Sequence, residues 1–152
     1  PDALAHRLAL AKADSVATSN PSALVIGSDQ VASIDRSCIG KPGNHAAATA
    51  QLKASSGHRV DFYSGIAVVC QETGYSASLV VPFSVQFRDL SDAEIEDYLL
   101  KEQPYDCAGS FKCEGLGIAL FDRMIGDDPT ALEGLPLIAL SRLLSQAGMP
   151  VI

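Results

Sequence analysis

The chain has 152 residues, is 47% apolar and carries a formal net charge of −7 with a pI near 4.7. A chain of this length closes a sizeable core as one domain. The acidic balance, with no basic patch, argues against nonspecific nucleic-acid binding through phosphate neutralisation, and no apolar run reaches the ~18 residues needed to span a bilayer.

The start, Pro1-Asp2-Ala3, lacks the basic region and long apolar stretch of a signal peptide. Cys38, Cys70, Cys107 and Cys113 form no C-x-x-C pair and the three histidines are scattered, so no zinc site is expected. Free thiols in a cytoplasmic protein are the expectation, with a disulfide left open.

In chain order, Leu4, Leu8 and Ala11 recur three to four apart over residues 3–18, which predicts a helix stopped by Asn20-Pro21. A β-branched strand over 23–27 follows, then a helix over 44–55 with Asn44 as its N-cap. A long strand is predicted over 59–70, where Gly65 indicates a bulge or a close backbone approach to a ligand. After a Glu72-Thr73-Gly74 turn, Val81, Phe83, Val85 and Phe87 alternate on one face, predicting an antiparallel partner strand over 78–88. Ser91-Asp92-Ala93-Glu94 is a capping box opening a helix. Residues 106–117 are Gly-rich and polar and run into the apolar Ile118-Ala119-Leu120-Phe121. Asp127-Asp128-Pro129 opens a short turn or helix, and residues 136–146 form a last helix with an apolar face of Leu137, Leu140, Leu143 and Leu144. No repeat, low-complexity tract or linker divides residues 1–152. The class is α/β with a mixed sheet.

The run Ala23-Leu24-Val25-Ile26 ends in Gly27-Ser28-Asp29-Gln30, which delivers an acid and an amide to the C-terminal end of a buried strand. Ligands of open α/β sheets bind there. Gly40-Lys41-Pro42 adds a cation in a tight loop, and a carboxylate with a lysine suits metal-assisted chemistry on a phosphorylated substrate. The competing reading of Gly27-Ser28-Asp29 is a turn in which Asp29 caps a helix.

Five segments occur in order: Gly27-Ser28-Asp29-Gln30-Val31; Gly40-Lys41-Pro42; Ser56-Gly57-His58 with Phe62-Tyr63-Ser64-Gly65; Ala108-Gly109-Ser110-Phe111-Lys112-Cys113-Glu114-Gly115; and Gly134-Leu135-Pro136-Leu137. Together they resemble the Maf family of nucleoside triphosphate pyrophosphatases, most closely its bacterial branch acting on 7-methyl-GTP, over essentially the whole chain. The resemblance implies a mixed twisted sheet flanked by helices, with a cleft between two lobes, similar to the inosine triphosphatase fold. It implies hydrolysis of a noncanonical nucleoside triphosphate to the monophosphate and pyrophosphate with a divalent cation such as Mg²⁺ or Mn²⁺. By motif it carries the catalytic acid onto Asp29, base selection onto Gln30 and Glu114, and phosphate contacts onto Lys12 and Lys41. Lys112, beside Glu114, joins the expected substrate-binding set.

Asp29 is favoured as general base, holding the metal together with the substrate's phosphates. Glu114 would accept two N–H donors from guanine and gain from the cationic charge of an N7-methylated ring. The alternatives are solvated lysines, and a Glu114 paired with Lys112 or Arg123. Phe62, Tyr63 and Phe111 are base-stacking or core residues. The family's opening strand and Ser-x-Ser-Pro-x-Arg-Arg phosphate loop have no match, so the expectation is a chain joining the pattern at the Lys12 helix and less active than a longer parent. Other readings are a dTTP/UTP pyrophosphatase of the same family and a non-catalytic nucleotide-binding regulator of septum formation. A homodimer is compatible with the sequence.

Overall fold

The computed structural model describes residues Pro1–Ile152. Its elements are α1 (Asp2–Ala17), β1 (Val25–Ile34), β2 (Ser37–Ile39), α2 (His45–Ser55), β3 (Arg59–Cys70), β4 (Tyr75–Phe87), α3 (Asp92–Glu102), β5 (Phe121–Ile125) and α4 (Leu137–Gln146), with 3₁₀ turns at Ala108–Ser110, Leu116–Leu120 and Pro129–Ala131. One five-stranded sheet has the order β2-β1-β3-β4-β5. With four helices this is the expected α/β class. Both edge strands pair antiparallel: Ala32 lies opposite Ile39, and Val85 opposite Met124, with a bulge between Gln86 and Phe87. No helix is long and apolar enough to cross a membrane.

The chain forms two compact units, one of Pro1–Gln30, Tyr63–Phe83 and Asp127–Ile152, the other of Val31–Phe62 and Ser84–Gly126. In the first, α1 buries Ala5, Ala9, Ala13 and Ala17. A spacing of four puts them on one helix face. Ala13 and Ala17 pack on Val25, Ala67 and Val69. Ala139, Leu140 and Leu143 of α4 pack on Ile66 and Val68. Since strand side chains alternate, α1 and α4 cover opposite faces. Odd-numbered residues of β1 in this unit point to α1 and even-numbered ones away from it.

Two expectations are corrected here. The strand does not stop at Gly27: β1 runs on to Ile34, so Asp29 sits within a ten-residue strand rather than at its end. The strand then reverses at Asp35 and Arg36, whose φ values of 48° and 65° fit a two-residue hairpin turn. The polar run looks like a turn in sequence because its partners are distant in the chain. Nor is the close approach at Gly65 that of a ligand. A Cβ there would overlap the Ala5 carbonyl of α1, just as one on Gly27 would overlap the Ala9 carbonyl and the Ala13 side chain. The glycines admit a helix backbone.

The second unit is centred on phenylalanines. The rings of Phe62 and Phe87 meet Phe111 edge-on at 5.4 and 5.7 Å, and Phe121 meets Phe87 and Phe111 at 5.1 and 4.9 Å. Around them α2 buries Ala48 and Leu52, and α3 buries Ile95, Tyr98 and Leu99. Asn44 Oδ1 accepts from Ala47 N–H at 2.9 Å, the expected cap of α2. The α3 capping box forms in full: Glu94 N–H donates to Ser91 Oγ at 3.2 Å, and Ser91 N–H donates to Glu94 Oε2 at 2.8 Å.

Candidate active site

In the first unit, α1 brings Lys12 to Asp29. The Lys12 ammonium pairs with Asp29 Oδ1 and lies 3.4 Å from the Ser28 carbonyl. The Asp29 side chain is 18% exposed and that of Lys12 58%. Gln30 points to the opposite face. Its amide nitrogen donates toward Ala131 O at 2.9 Å, Leu132 O at 3.1 Å and Ser64 Oγ at 3.1 Å. Two carbonyl acceptors fix which end of the amide is nitrogen. Ser28 Oγ, on the same side, lies 2.5 Å from Gly134 O and 3.0 Å from Gly65 O. Ser28 and Gln30 therefore fasten the turn over 131–134, while Asp29 faces Lys12.

That turn is itself capped by Asp128, which is buried. Its Oδ1 accepts from Thr130 N–H at 3.0 Å and its Oδ2 from Ile138 N–H, in the first turn of α4, at 2.9 Å. One carboxylate thus satisfies orphan donors of two successive helical segments.

In the second unit the segments carrying Lys41 and Lys112–Glu114 are tied together. The Gln51 amide donates to Gly40 O at 3.0 Å and accepts from Ser110 Oγ at 2.5 Å. Gly43 N–H donates to Tyr105 O at 2.9 Å. His45 lies 2.9 Å from Tyr105 Oη through Nδ1 and 2.7 Å from Glu96 Oε2 through Nε2. Ser110 holds φ at 62°, a left-handed conformation uncommon outside glycine.

Asp106 lies beside Lys112. Lys112 Nζ is 3.9 Å away. The Cys107 thiol hydrogen bond, its own backbone N–H, and then the Lys112 and Lys41 charges hold the Asp106 carboxyl below the usual range. Burial, reinforced by the bond to Asp106, pushes the Cys107 thiol up to about 11, so it stays protonated and is no nucleophile. Glu114 is exposed and accepts from the Cys113 thiol at 3.4 Å. Lys112 turns to Asp106, not to Glu114. Phe62 and Phe111 are buried core.

A model of the Maf-like protein family matches residues 1–147. The chain belongs to the Maf family. It is 56% identical over 152 residues to the 7-methyl-GTP pyrophosphatase of Albidiferax ferrireducens, covering all of this chain and 76% of that protein. Against the 7-methyl-GTP pyrophosphatase of Nitrosococcus oceani it is 53% identical with the same coverage. Against that of a Polaromonas species it is 54% identical over 149 residues, 98% of this chain and 68% of the relative.

Within this Maf chain no group of three or more His, Cys, Asp or Glu side chains lies close enough to hold a metal ion on its own. The donor set fits a hard cation that shares its shell with substrate. Asp29 offers one half-buried carboxylate, and Mg²⁺ commonly takes one or two carboxylates plus water and phosphate oxygens. Sequence reading missed Gln51, Tyr105 and Asp106. The first two tie loops together through partners far along the chain, and Asp106 meets the Lys112 ammonium, six residues on, only in the folded loop. Only Asp106, inside the Gly-rich segment, carried any local signal.

Proposed function

We propose that this chain hydrolyses 7-methyl-GTP to 7-methyl-GMP and pyrophosphate, removing a modified nucleotide from the pool. The observation that carries the reading is the half-buried Asp29 carboxylate held against Lys12 on one face of β1. Asp29 takes the proton of the attacking water as general base. Lys12, Lys41 and Lys112 act as point charges on the phosphates. Glu114 accepts the two N–H donors on one edge of guanine, and its charge favours the N7-methylated, cationic ring. The Gln30 amide contributes to base selection through the 131–134 turn that it holds. When bound, a divalent cation such as Mg²⁺ or Mn²⁺, with Asp29 as its protein ligand, supplies charge neutralisation at the phosphates.

A cytoplasmic setting, where thiols such as Cys38, Cys70 and Cys107 stay reduced, completes the reading. The test is pyrophosphate release by the purified protein with Mg²⁺ across 7-methyl-GTP, GTP, dTTP and UTP. Preferred release from 7-methyl-GTP is expected. Preference for dTTP and UTP would move the chain to another substrate class, and binding without release would make it a nucleotide-binding regulator.

A further inference from the structure

The segment that presents Glu114 is clamped at both ends by one face of α3. Lys112 N–H donates to Tyr98 Oη at 3.1 Å, and Leu116 N–H donates to Glu102 Oε2 at 2.8 Å. Tyr98 and Glu102 are four residues apart, hence neighbours on the helix surface. Between the clamps the loop closes on itself, because Gly115 and Gly117 N–H both donate to Lys112 O, at 3.3 and 3.0 Å. A Cβ on either glycine would meet the clamp itself. A Cβ on Gly115 would overlap the Glu102 carboxylate, and one on Gly117 the Lys112 backbone. Glu114 is the exposed residue at the apex.

Glu102 is poorly placed for its own helix. It is the last residue of α3, where the partial negative charge of the helix end disfavours an acid. Its carboxylate instead serves the loop. Burial keeps the Tyr98 hydroxyl neutral, well above its ordinary range, and its oxygen accepts from Lys112 N–H through a lone pair.

We infer that Glu102, assisted by Tyr98, is a positioning residue that fixes Glu114 and so sets selectivity for a cationic, N7-methylated guanine. This rests on Glu114 selecting the base. Removing the Glu102 acceptor frees Leu116 N–H, releases one end of the loop and lets the Glu114 carboxylate leave its aligned position, while the phosphate contacts remain.

The experiment measures kcat/KM for 7-methyl-GTP and GTP, with thermal melts alongside, for Glu102→Ala, Glu102→Gln, Glu114→Gln and the double variant Glu102→Ala/Glu114→Gln. Glu102→Ala is expected to lower the 7-methyl-GTP to GTP ratio roughly tenfold, since ångström-scale misplacement already costs that much or more. Glu102→Gln keeps an acceptor and should retain most of the ratio. The double variant should be no less selective than Glu114→Gln, because both changes act through one group. Gly115→Ala, whose Cβ displaces the Glu102 carboxylate, should reproduce the loss and stands in if Glu102→Ala fails to fold. An unchanged ratio in Glu102→Ala or Gly115→Ala beside an altered one in Glu114→Gln overturns the inference alone. So does a Glu102→Gln variant as unselective as Glu102→Ala. An unchanged ratio in Glu114→Gln overturns the base-selection reading and takes the inference with it.

Discussion

Gly27 lies so close to Ala9 that a Cβ on it would occupy the space of the Ala9 carbonyl oxygen. The contact lets α1 rest on the backbone of β1, and it sets the depth at which Lys12 reaches Asp29 two residues further on. Gly27→Ala should push the helix outward. Overpacking of this kind costs about 1–3 kcal/mol. We expect that loss in urea unfolding, with reduced turnover as Lys12 parts from Asp29. A variant as stable and active as the parent would show that the helix shifts without consequence for the pair.

The proposed roles of Asp29 and Lys12 separate chemistry from stability. A partly exposed ion pair contributes less than about 1 kcal/mol, so Lys12→Met should leave the melting temperature almost unchanged. A charge-assisted contact to phosphate is worth about 1.5–3 kcal/mol, or roughly 10–100-fold in kcat/KM. Asp29→Asn should lower turnover by ~10²–10⁴-fold while nucleotide binding persists. Steady-state kinetics and nucleotide titrations check both, and near-normal turnover of Asp29→Asn would remove it as the base.

The capping box of α3 is expected to be acid-sensitive. The Ser91 N–H bond first, then Arg88 at 2.8 Å, lower the Glu94 carboxyl from 4.5 to about 2. A depressed folded-state value means that the stabilisation is complete above pH 4.5 and is lost as pH falls toward 2. Glu94→Gln retains the acceptor but cannot titrate. The stability gap between parent and variant should therefore narrow through that window in acid titrations followed by circular dichroism, and a pH-independent gap would contradict the assignment.

Asp128→Ala should destabilise the 129–138 region without touching Asp29. It strands the Thr130 and Ile138 N–H groups beside a buried site, a loss of about 1–3 kcal/mol. Asp128→Asn keeps one acceptor oxygen and should lose less. Hydrogen exchange at Ile138 and chemical unfolding report the two effects, and equal protection in all three proteins would argue against the cap.

What the sequence made legible was local. The Asn44 cap, the Ser91–Glu94 box and the alternation of Val81, Phe83, Val85 and Phe87 lie within a few residues of the structure they specify, and each formed as expected. The continuation of β1 past Gly27 was hidden because Ser28, Asp29 and Gln30 find their partners at Gly134, Lys12, Ala131 and Leu132. Polar residues without near neighbours in sequence look like a turn. Gly65 announced a close approach but not what approaches. The short, largely exposed β5 carries no strand-like alternation and was read only as the end of an apolar run. At the candidate site the residue types could be read by resemblance, whereas the two faces of β1 and the Gln51 bridge needed the fold.

The discontinuous make-up of the two units fixes an order of events at the ribosome. The second unit has all its residues once Gly126 has emerged. The first takes in α1 and the first half of β1, yet Ile66 and Val68 stay uncovered until Leu140 and Leu143 of α4 arrive. At about 5–20 residues per second, the nascent chain spends seconds with its aliphatic sheet face open to solvent. During that interval it is a natural client for a holdase chaperone, and synonymous codons that slow translation between residues 70 and 140 would lengthen the exposure.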